Sequence, residues 1–130
     1  MHIDHRRVRV SSWIGANALN AFAYLALRLA PPIRARAWIA RMADLFPRIR
    51  SVDEARAMIA RLGDRGTCLS RSMAVAARYP GSEVVIGVLQ GSSRNPASTR
   101  PLDAHAWVEV GGVALGESDQ SWAEMGRFRR

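Results

Sequence analysis

The chain has 130 residues, 48% of them hydrophobic, which suits one domain with a single core and is too short for two. Its formal charge is +8, and all 19 basic residues are Arg. They are spread from Arg6 to Arg130 without a dense run, and aromatic content is only 7%, so the charge points to acidic partners more than to a nucleic-acid interface. A single Cys excludes an internal disulfide framework and is compatible with a reducing compartment.

In chain order, residues 1–10 are charged and hold His2 and His5, and read as a loose arm or a short strand. Two terminal histidines without a third nearby ligand make no metal site. Ser11-Ser12 suits a helix cap, and a helix follows from Trp13 to Ala30, stopped by Pro31-Pro32. This span is apolar, but Gly15, Asn17, Asn20 and Arg28 argue against a membrane span. Arg28 also stands where a secretory signal needs small residues. Asn17, Asn20, Tyr24 and Arg28 share one face, with Ile14, Leu19, Phe22, Leu25 and Leu29 on the others, as in a core helix.

The segment from Ile33 to Phe46 reads as an amphipathic helix with apolar positions at Ile33, Ala37, Trp38, Met42 and Leu45. Ser51 caps a third helix over Val52–Leu62, with Ala55, Met58, Ile59 and Leu62 inward and Gly63 closing it. The turn Asp64-Arg65-Gly66-Thr67 then caps a fourth helix over Cys68–Arg78, ended by Tyr79-Pro80-Gly81.

Beyond it the sequence period changes. Glu83–Leu89 is β-branched and apolar, hence a buried strand. Gly91–Pro101 reads as a long loop, Ala104–Val110 as a second strand, Gly111-Gly112 as a hairpin turn, and Val113–Gly116 as the start of a third strand. Helices followed by an antiparallel sheet define an α+β domain. The parts are an arm (1–10), a helical part (11–62) and a catalytic core (63–119) within one domain spanning 1–130.

Cys68 opens a helix, where unpaired amides and the positive end of the helix dipole favour a thiolate, the form that attacks carbon. The alternative is a small apolar residue packing a core. His105 on the second strand is the candidate base, and contact with Cys68 has to be tertiary. An acid beyond the hairpin turn, Glu117 or, on the same face, Asp119, could hold the ring. Glu109 lies about 13 Å along the same strand from His105 and is a poor orienter. Trp107 shares a face with His105, as core or as cleft wall.

The run C-L-S-R-S-M-A-V-A from Cys68, V-I-G-V at Val85–Val88, H-A-W-V-E-V-G-G-V from His105 and the pair Gly116-Glu117 together resemble the leader peptidases of lasso-peptide biosynthesis, which are transglutaminase-like cysteine proteases. The resemblance extends over about Ala55 to Glu117. It implies a transglutaminase-like, papain-like core with Cys68 as nucleophile, His105 as general base and acid, and Glu117 orienting His105, with no cofactor and no metal. Two positions depart from the usual pattern: Glu stands where family members commonly have Asp, and Ser70 where they commonly have Pro.

The resemblance also implies a bacterial cytoplasmic enzyme that removes the leader from a ribosomally made precursor. Partners would be that precursor peptide, a separate leader-recognition protein, and an ATP-dependent macrolactam cyclase acting on the core peptide. Nucleic acid and an integral membrane segment are not expected. Two rivals stand beside this reading: an acyl or amide transferase using the same residues, and a basic binding module in which Cys68 and His105 are only packed.

Overall fold

The computed structural model describes residues 5–89, 104–115 and 122–129. Four helices, α1 (His5–Leu29), α2 (Pro32–Ala43), α3 (Val52–Leu62) and α4 (Cys68–Arg78), come first in the chain. Four strands, β1 (Ser82–Leu89), β2 (Ala104–Val110), β3 (Val113–Ala114) and β4 (Trp122–Arg129), follow. The strands form one antiparallel sheet in the order β3-β2-β1-β4. This is the α+β arrangement expected from the sequence.

α4 is the central helix. Its residues Ser72 to Arg78 are all buried, and it packs against the three other helices and against β1 and β2. The core they share draws on Ala16, Leu19, Ala23 and Ala26 from α1 and on Ala35, Ile39 and Ala43 from α2, five of these seven being alanine. Alanine stripes let helix axes approach closely, and the larger apolar residues are then left outside. Ile14, Leu25 and Leu29 of α1 are exposed, as are Ile33 and Trp38 of α2 and Leu45 beyond it. The inward faces of both helices therefore differ in part from those read by residue size: Leu19 is buried and Phe22 and Met42 pack against the core, as expected, while the others do not. In α3, Ala55, Met58 and Leu62 are buried and Ile59 is partly so, as expected.

Helix α1 begins at His5, not at Trp13, so residues 5–10 are neither arm nor strand, and Ser11-Ser12 lies inside the helix. Arg is a good helix former and no Pro or Gly occurs before Gly15, so nothing stops the helix from propagating toward the terminus. α2 ends at Ala43, a little before the expected stop. The whole of β4 was unread in the sequence. The third strand ends at Ala114, before Leu115; the loop read over Gly91–Pro101, and Gly116, Glu117 and Asp119, lie outside the described residues.

Val84, Ala106 and Val108 face the helices and join their core. Register puts Glu83, Val85, His105, Trp107, Glu109, Arg127 and Arg129 on the other face. There Arg127 pairs with Glu83 of β1, Glu109 of β2 and Glu124 of its own strand, tying three strands together. Among the described residues, no helix is long and apolar enough to cross a membrane.

Candidate active site

The sequence just before Cys68 is held by a buried polar network. Thr67 is extended and caps α4: its Oγ1 accepts from the Ser70 amide at 3.0 Å, while Ser70 Oγ accepts from the Thr67 amide at 2.9 Å. Ser70 Oγ also donates to Asn20 Oδ1 at 2.9 Å, and Asn20 Nδ2 donates to the Arg65 carbonyl at 3.1 Å. Ser70 is fully buried and Asn20 is 4% exposed, so the bond between them forms out of water, where an unmade one is expensive. Position 70 thus closes a capping box, which a proline at that position has no side-chain group to do.

A second set of contacts ties the same turn to α1. Arg65 donates to Asn17 Oδ1 at 2.5 Å and lies over the Trp13 ring, 5.5 Å from its centre. Gly66, at φ 67°, passes so close that a Cβ there would sit 2.5 Å from Ser70 Oγ. The turn therefore needs glycine for conformation and for space. α1 and the turn together fix where α4 begins, and with it the thiol.

Cys68 is the first residue of α4 and is half-buried. Its backbone N–H lies among the amides a helix leaves without an intrahelical partner. His105 stands near the start of β2, opposite Gly87 of β1. Both residues border one cavity of about 550 Å3 between α3, the start of α4 and β2, whose other walls include Arg56, Arg71, Trp107 and Leu115. Beyond β3 the Leu115 amide donates to the Val108 carbonyl of β2 at 2.8 Å, and both residues line the cavity. His105 belongs to the sheet face turned away from the helical core, and it is among the residues that line the cavity.

The His105 imidazole is held below its ordinary pKa of 6.5, first by burial and then by the positive charge of Arg71. At neutral pH it is therefore uncharged, the form that accepts a proton. Its ring stacks with Trp107, centres 6.1 Å apart. The Trp107 indole N–H donates to Glu109 Oε2 at 2.7 Å, so Glu109 steadies Trp107 and is also paired with Arg127. Among the described residues there is no cluster of three or more His, Cys, Asp or Glu able to hold a metal ion.

Cys68 and His105 are thus brought to one cavity, whereas Glu117 and Asp119 lie outside the described residues. Sequence reading missed Arg56, Arg71 and the Asn20–Ser70 bond. The one available signal was the row of polar residues, Asn17 and Asn20, on an otherwise apolar helix.

A helix that opens on a cysteine packs on an antiparallel sheet whose histidine borders the same cavity, and together they form an α+β domain. The chain belongs to the transglutaminase-like superfamily, whose family model matches residues 16–130. Members of that superfamily are typically cysteine-type enzymes and include proteases and transferases. The match takes in α1 from Ala16 and all of β4. No curated protein and no solved structure matches the chain.

Proposed function

We propose that this protein is a cysteine peptidase that removes the leader from a ribosomally made lasso-peptide precursor. The observation that carries the catalytic part is the sharing of one cavity by Cys68, at the start of α4, and a neutral His105. The C-L-S-R-S and H-A-W-V-E motifs carry the choice of substrate.

In this reading His105 takes the Cys68 proton and the thiolate attacks the scissile carbonyl carbon. The Cys68 backbone N–H, at the positive end of α4, donates to the oxyanion. Collapse breaks the C–N bond, the imidazolium returns its proton to the leaving amine, and a thioester remains on Cys68. Water, deprotonated by His105, then attacks the thioester and releases the acid and the free thiol. Glu117 is the acid that orients His105, with Asp119 the alternative.

The enzyme works in the bacterial cytoplasm with a separate leader-recognition protein and hands the core peptide to an ATP-dependent macrolactam cyclase. Several exposed arginines, Arg34, Arg41 and Arg61 among them, offer a basic surface to the partner or to an acidic leader.

The test is incubation of the purified chain with a lasso precursor and its leader-binding partner, read by mass spectrometry. Release of intact leader and core, lost in Cys68→Ala and reduced at least about 10²-fold in His105→Ala, supports the reading. An uncut precursor, with the protein folded and the partner present, contradicts it.

A further inference from the structure

The cavity beside Cys68 carries charge of one sign. Arg56 lines it from α3 and Arg71 from α4, beside the neutral His105 of β2, while Ile59, Val108 and Leu115 supply apolar wall. No carboxylate borders it among the described residues. Arg71 lies one helical turn beyond Cys68, so both side chains project from the same face of α4. Its Nη1 donates to the Arg65 carbonyl at 3.0 Å, which anchors the guanidinium to the turn that precedes the thiol. The charge of Arg71 is felt at His105, which lines the same cavity.

Two guanidinium groups beside apolar walls make a selective environment. Low-dielectric walls focus the field, and a guanidinium fork matches a carboxylate in shape and charge. A cation entering the same space loses its hydration and meets like charge. We propose that this cavity binds a carboxylate, and that the preferred peptide carries an acidic side chain next to the bond Cys68 attacks, read by Arg71 and Arg56. The preference for a carboxylate belongs to the cavity alone. That the carboxylate arrives on a peptide rests on the peptidase reading above.

Iodoacetate and iodoacetamide test the two parts separately, because they alkylate the same sulfur, are nearly equal in size and differ in charge. The ratio of their rate constants at Cys68, iodoacetate over iodoacetamide, is expected to be about tenfold higher in the folded protein than in the same protein unfolded by urea. It should fall about three- to tenfold in Arg71→Gln and in Arg56→Gln, and fall as salt is raised. Arg56 is exposed on α3, so that variant keeps the test valid should Arg71→Gln disturb the turn. Equal ratios in folded and unfolded protein overturn the proposal.

The second arm offers a cleavable precursor with Glu or Lys placed beside the scissile bond. Faster cleavage of the Glu peptide, with the difference shrinking in Arg56→Gln, supports the proposal. Cleavage of both at one rate overturns the carboxylate preference while leaving the peptidase standing. A raised alkylation ratio without cleavage of either peptide supports the anion site and removes only the peptidase.

Discussion

His105 and Arg71 show how one residue sets the state of another. Burial and the nearby guanidinium both disfavour the imidazolium, so the folded protein binds a proton at this ring less readily than the unfolded chain. The sign follows from linkage: stability from this residue is complete above about pH 6.5 and declines as pH falls through the window below it. An NMR titration of the His105 ring is expected to give a midpoint below 6.5. In Arg71→Gln the midpoint should rise only part of the way back, because burial is the larger cause. A midpoint at or above 6.5 in the wild type would contradict this account.

Residue-level reading from sequence was good where one residue type has one use. Cys68 as the opening residue of a helix, Thr67 in its cap and the Gly111-Gly112 hairpin all follow from local chemistry. Arg71 was not legible, since an arginine in a sequence is as often on a solvated face as beside a reacting group. The tertiary placement of α3 against α4 makes the difference.

At the scale of elements, the start of α4 is fixed by a turn and not by α4 itself. Replacing Asn20 by Ala removes one hydrogen bond to the Arg65 carbonyl and leaves buried Ser70 Oγ without one of its partners. A loss of about 1–3 kcal/mol is expected in urea denaturation. Gly66→Ala should cost a similar amount, about 1–3 kcal/mol, from left-handed strain and the contact with Ser70 Oγ. Either substitution should also slow Cys68 alkylation under native conditions, because the thiol is positioned by this turn. Unchanged stability in both would remove the network from the explanation.

The elements also show why β4 was unread. It pairs with β1 through a bulge between Ile86 and Gly87, so Glu124 lies opposite Gly87 and Gly126 opposite Ile86, with Met125 left between them. One extra residue shifts the period-two pattern halfway along the strand, and Gly126 weakens it further. The inward faces of α1 and α2 were only partly legible for a different reason. Ala16, Ala23, Ala35 and Ala43 lie in the core, and alanine carries little signal beside Ile14, Leu25 or Leu29.

At the scale of the whole molecule, two layers do different work. The helical layer holds the apolar core and the thiol, and the outer sheet face is an ionic network centred on Arg127. Glu83 and Glu124 are held below the ordinary carboxylate pKa, chiefly by hydrogen bonds from Arg127, and Glu83 also by Arg129. Their folded values lie under their unfolded ones, so their contribution is present above about pH 4.5 and is lost as pH falls through the lowered values. The thermal midpoint of the wild type should therefore drop on acidification more than that of Arg127→Gln, and the two should converge once both carboxylates are protonated. Parallel curves would show that the network adds nothing.

The α+β layout was legible because the change from helical to alternating period falls between Arg78 and Glu83. The meeting of α3, α4 and β2 around one cavity was not, since no local pattern encodes it.

The central claim is that His105 activates Cys68 in that cavity. The rate of iodoacetamide alkylation at Cys68, followed from pH 5 to pH 10 in wild type and His105→Ala, tests it most directly. The account predicts faster modification in the wild type than in His105→Ala wherever the imidazole is neutral. Superimposable profiles for the two proteins would contradict it.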